Sequence, residues 1–132
     1  MPATGVVLKA IIARLKAVST SAGNRIYVEG TKEKPPSRPC IILSLLAGSR
    51  VEATGGWSGL ARNMIQVDSI GDTLDTATAL SAEVDTALHR WDGTLAGIIV
   101  DDILFDGESI TFDYDDKTQV CATTYQISWR VA

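Results

Sequence analysis

Histidine occurs once in this sequence and cysteine twice, and neither cysteine belongs to a CxxC pair. A structural zinc site needs four such ligands, so one histidine and two cysteines cannot complete it unaided. No apolar run approaches the ~20 residues that span a bilayer, so no membrane association is expected. The opening "MPATGVVLKAIIARLK" scatters its cations through the apolar stretch instead of placing them ahead of it. No small-residue cleavage site follows, and a secretory signal is not expected. The phosphate-cradling P-loop and GxGxxG patterns are absent. So is the twelve-residue calcium loop with glycine at six and glutamate at twelve. The "GGWSG" of residues 55–59 shares only its composition with a nucleophile elbow, because no serine is centred in GxSxG order.

What is there suits one domain. The 132 residues are 45% apolar, enough for a modest core and too much for a disordered chain. Cys40 and Cys121 both lie in apolar, strand-like runs, which favours buried free thiols over a disulfide. The net charge of −4 hides a division. Residues 1–62 hold nine of the twelve cations and three acids, a net +6, while residues 63–132 hold thirteen acids and three cations, a net −10. Oppositely charged faces, of use to a ring or stack of identical subunits, would follow if the fold separates the two parts. Ordinary solvated surface accounts for the same numbers.

Periodicity outlines the elements. Val7, Leu8, Ile11, Ile12, Leu15 and Val18 recur at helical spacing and predict a helix over 4–18, stopped by "STSAGN". Arg25 to Val28 is a short extended piece. The proline-rich "EGTKEKPPSRP" after it reads as a surface loop. "CIILSLLA" (40–47) carries bulk on both faces, as a central strand does, and "LARNMIQVDSIG" (60–71) reads as another. Gly55-Gly56 between them marks a hairpin tip or tight turn. Asp72 stands at an N-cap position, and Leu74, Ala77, Leu80, Val84, Leu88 and Trp91 predict a second helix over 73–90. "IIVDDILFD" and "SITFDYD" flank Gly107 as β pieces. The closing "VCATTYQISWRV" alternates Cys121, Thr123, Tyr125, Ile127, Trp129 and Val131 against Ala122, Thr124, Gln126, Ser128 and Arg130. That is a strand with one apolar and one wetter face. The expected fold class is α+β (α/β): one mostly antiparallel or mixed sheet, two helices on one face, and a β-hairpin or extended loop.

Candidate chemistry is sparse. His89 closes an amphipathic helix, where a cation complements the helix dipole more simply than it catalyses. No catalytic residue, metal site or cofactor is expected. The acids Asp101, Asp102, Asp106, Glu108, Asp113, Asp115 and Asp116 suit a solvated edge or negatively lined cavity better than an ion cage. Lys32, Lys34, Arg38, Arg50 and Arg62, with Trp57 among them, resemble a nucleic-acid groove, yet they suit an acidic face on a neighbour equally well. Trp57 in its glycine-flanked loop has two readings, an interface anchor or an aromatic packed back on its own domain.

Several stretches carry a family resemblance. They are "NRIYV" after the first helix, a proline before a β run, "GWSGLARNMIQVD" leading into an "A…L…V..AL" helix, and the closing "YQISWRV". Together, from about Val7 to Val131, they resemble the small tail terminator, or tail-completion, proteins of long-tailed bacteriophages and prophages. The resemblance implies a non-enzymatic virion protein at the head-proximal end of the tail, assembled in the host cytoplasm. It implies a ring, commonly a hexamer, that caps the tail tube, stops its growth and presents a surface to the head connector. Under it, Arg50, Trp57, Arg62, Gly55 and Gly56 are expected at oligomer or tube contacts. The acids of 101–116 are expected to line a channel through which DNA slides without specific binding. A head–tail connector or minor tail protein of the same fold is the competing expectation, and a small cytosolic ligand binder or enzyme a remote one.

Overall fold

The computed structural model describes the backbone of residues 5–29, 37–53, 56–114 and 117–131, and the side chains of residues 6–29, 37–46, 61–114 and 117–130. Helix α1 (Gly5–Ala17) buries Val7, Leu8, Ala10, Ile11 and Leu15 on one stripe. Helix α2 (Leu74–Leu88) does the same with Ala77, Leu80, Ser81, Val84 and Leu88. Strands β1 (Ile26–Val28), β2 (Cys40–Ala53), β3 (Gly56–Gly71), β4 (Gly93–Leu95), β5 (Ile98–Asp113) and β6 (Thr118–Val131) make one sheet in the order β1-β2-β3-β6-β5-β4. Only β1 against β2 is parallel, so the sheet is mixed, with both helices on one face, as the patterning predicts.

Strand β6 lies at the centre. Its odd residues from Cys121 to Trp129 are buried towards the helices, while its even residues are half-buried or exposed on the open face. Trp129 Nε1 donates a 2.6 Å hydrogen bond to Asn63 Oδ1 across the β3–β6 pair, which permits a buried indole in an apolar layer. Arg14 joins the helices. Its Nε donates to Ala87 O at 3.0 Å, in the last turn of α2, and its guanidinium lies 4.9 Å from the centre of the Trp91 ring. A cation at that carbonyl end also complements the helix dipole.

Several expectations shift. The N-cap of α2 is Thr73, whose Oγ1 accepts from Thr76 N at 3.1 Å, and not Asp72, which accepts from Arg38 Nε at 2.7 Å. Leu74 and Val18 fall outside the buried stripes and are exposed. The two β pieces around Gly107 are one strand, β5, that absorbs an extra residue at Asp106 as a bulge. Beyond the end of α2 the chain adds the short β4, paired with Ile98–Val100 of β5. Cys40 pairs with Ile70 and Cys121 with the adjacent Ser69, so β3 lies between the cysteines and their side chains leave opposite faces. Two strand spacings place them about 9–10 Å apart, beyond the ~7 Å limit for a disulfide, and both thiols are free. The proline-rich loop falls mostly on residues 30–36, and the hairpin tip on 54–55, outside the described residues.

Gly71, where β3 turns into α2, is a position that a side chain would fill badly. A Cβ there would stand 2.9 Å from both Ala77 N and Thr76 Cγ2. Gly71→Ala is therefore expected to destabilise the chain by ~1–3 kcal/mol, read as a lowered denaturation midpoint. An unchanged midpoint would contradict this packing of the helix start on the strand.

Candidate functional site

Helix α2 lies across β3 and β6 and leaves the lower half of β5 bare. Between α2 and that half runs a groove of about 460 Å³, lined among others by Ser81, Asp85, His89, Phe105, Glu108 and Cys121. Beyond it, Ile110 and Phe112 continue the same side of β5 and stay exposed, as does Tyr114. Phe112 and Tyr114 meet edge to face at 4.8 Å, and Phe105 meets the buried Tyr125 at 6.0 Å.

The polar groups of the groove are spent on the framework. Tyr125 Oη donates to Asp85 Oδ1 at 3.0 Å, and burial, then the Asp85 charge, push the phenol well above its ordinary range. His89 does not serve the helix dipole with its ring. Its backbone N–H caps Asp85 O, and its Nδ1 accepts from Phe105 N at 3.1 Å, which leaves the proton of the neutral ring on Nε2. Burial pushes the Cys121 thiol up; a bond with Ser81 opposes this and Glu108 adds to it, so it stays a thiol at neutral pH. Among the described residues no group of three or more His, Cys, Asp or Glu has metal-holding geometry.

The expected interface residues cluster on one hairpin. Arg50 pairs with Ala61 and Glu52 with Trp57 on β2–β3, and Gly56 pairs with Ala53. The side chains of Arg50 and Trp57, and all of Gly55, lie outside the described residues. Arg62 is exposed on the open face, in register with Ser49 on β2 and Ser128 on β6. The acids do not share one surface. Asp101 lies 3.3 Å from Arg130 Nε and Asp102 2.8 Å from Arg90 Nη1. Asp106 sits in the bulge, Glu108 faces the groove, and Asp113 lies on the opposite side of β5. Asp115 and Asp116 lie outside the described residues. The bare row of Phe105, Ile110 and Phe112 is what sequence reasoning missed. Its alternation was visible, but nothing in it says that no helix covers this half of the strand.

The open face is mostly small and polar, with Ala122, Thr124, Gln126 and Ser128 along β6. Asp68 is its partly buried charge, accepting from Gln66 Nε2 at 2.8 Å. Burial raises its carboxyl above the ordinary value; the Gln66 bond opposes the shift and the Glu29 charge adds to it.

Residues 9–131 match the family model described as tail completion protein gp17. Among solved structures, a chain from the virion of a native gene transfer agent (GTA) particle shares the fold with a TM-score of 0.69 at 18% identity, covering 96% of each chain. A second solved chain, which carries no functional description, superposes with a TM-score of 0.60 at 18% identity, over 100% of this chain and 97% of its own. No curated protein matches.

The raised Asp68 fixes the sign of a pH effect. A carboxyl whose folded pKa exceeds its unfolded one favours the fold fully below the unfolded value and loses that contribution as pH rises through the folded one. Asp68→Asn is therefore expected to raise Tm by a few degrees at pH 7, with the gain vanishing below about pH 4. Thermal unfolding across pH would show it, and a lower Tm at pH 7 would refute it.

Proposed function

This chain belongs to the tail completion protein gp17 family, and on that premise we propose that it closes the head-proximal end of a phage tail tube as a ring of identical subunits. It is a structural tail-completion protein of the virion. The observation that carries the reading is the span of the family match, residues 9–131, which takes in nearly every element of the fold. The geometry agrees with scaffold work. The polar groups of the one groove described above bond to each other or to backbone, whereas an apolar row stands uncovered beside them. We read the chain as non-catalytic on that ground.

In this reading the β2–β3 hairpin, with Arg50, Trp57, Arg62 and the Gly55-Gly56 pair, meets the tube or a neighbouring subunit. The other ring surface meets the head connector. Asp106 and Glu108 have no ion pair among the described residues. Where they face the ring's channel they would repel the phosphates of passing DNA and keep it from adhering. Assembly takes place in the host cytoplasm, before heads and tails join.

Electron microscopy of tails from a phage or prophage lacking this gene tests the proposal. Tails of uncontrolled length without heads are expected, with fixed length and joining restored when the purified protein is present during assembly. Tails of normal length that fail only to join would favour a connector role instead. Normal tails on normal heads would refute both.

A further inference from the structure

Resting on the ring reading, the geometry points to the sheet edge that the neighbouring subunit takes: we propose that the Glu108–Phe112 edge of β5 accepts an added strand from a second copy of this chain. Strand β5 pairs with β6 along its length, but β4 covers its outer side only at Ile98–Val100. Two contacts close the next stretch. Arg90 N donates to Ile103 O at 2.6 Å, and Phe105 N donates to His89 Nδ1 at 3.1 Å. They also fix the parity of the strand, because the backbone groups of Ile103 and Phe105 must point away from β6. Carried across the one-residue bulge at Asp106, the alternation points those of Glu108, Ile110 and Phe112 outward as well. Among the described residues nothing accepts from these three N–H groups.

An open edge of five residues is about 17 Å long, the length of an ordinary strand. Edges that must stay solitary are guarded by charge, proline, a bulge or a covering loop. The His89–Arg90 turn and the bulge guard the upper part of β5. Below them the row is apolar after Glu108, with Ile110 49% and Phe112 40% exposed. Main-chain pairing along such an edge, with alternate side chains buried beside it, is a recurrent way for one chain to capture another.

The same sheet supplies the counterpart. On its far side β1 covers β2 only at Ile41–Leu43, so from Ser44 onward β2 has no outer strand among the described residues. Leu45 and Leu46 are exposed there, at 36% and 52%, Leu46 as the extra residue of a bulge, and the regular stretch of the edge runs over residues 47–50. Two unlike open edges on opposite sides of one sheet are what a head-to-tail contact requires, and head-to-tail contacts close into rings. Charge does not oppose the contact: of the five acids of β5 only Glu108 lies on the proposed edge, and β2 carries one cation, Arg50, and one acid, Glu52.

The test uses the purified full chain. Light scattering across concentration and salt, with hydrogen exchange on the same samples, reads both the ring and its contact. In the assembled wild type the amides of Glu108, Ile110 and Phe112 are expected to exchange at least tenfold more slowly than in dilute monomer. Ile110→Lys is expected to lower the assembled fraction at least tenfold with unchanged circular dichroism and Tm, and Ser109→Lys, on the opposite side of β5, to leave assembly intact. Rings that survive Ile110→Lys, with those amides still exchanging fast, would overturn the edge contact and leave the ring standing. Assembled rings in which those amides stay unprotected until tube protein is added would overturn self-pairing at this edge. A wild-type chain that stays monomeric in solution and on purified tubes would overturn the ring reading and the contact with it.

Discussion

A residue in a strand advances the chain about 3.3 Å, and a residue in a helix 1.5 Å. The 16 residues of β5 thus span roughly 50 Å, while the 15 residues of α2 span roughly 22 Å. One helix cannot cover such a sheet from end to end. Helix α2 takes the middle of β3 and β6, and α1 with Trp91 packs beside it, pinned by Arg14. What lies beyond those two must be small and polar, paired to another strand, or left for a partner. The open groove, the exposed row on β5 and the long β2–β3 hairpin all follow from that one disparity of length.

Most of the architecture was legible from periodicity. The alternation of 120–131 located the central strand and its buried face, and the three-to-four spacing located both helices. Details that depend on a single hydrogen bond were not. Thr73 and Asp72 are both acceptable caps by composition, and only the pairing of Asp72 with Arg38 separates them. A bulge at Asp106 has no signature in a run already rich in acids. The short β4 is three residues that gain a partner only because Ala96 and Gly97, both at positive φ, turn the chain back on itself.

The candidate site was less legible than the fold, for a physical reason. An interface is marked by apolar side chains that nothing covers, and coverage is a property of the whole tertiary arrangement. Ile110, Phe112 and Tyr114 read from sequence as any amphipathic strand would. Charge misled in a different way. The acids of 101–116 look like one block along the chain, yet a strand deals alternate residues to opposite faces, and Arg90 and Arg130 pair with two of them. What did carry through was the family pattern, which rests on the order of many soft features and tolerates errors in each.

Cys40 and Cys121 leave opposite sides of the sheet with β3 between them, so the two thiols of one subunit have no route to each other. The subunit therefore holds its fold with no internal cross-link, whatever the redox state around it. Within a subunit, durability rests on packing and hydrogen bonds and not on a covalent tie between these strands.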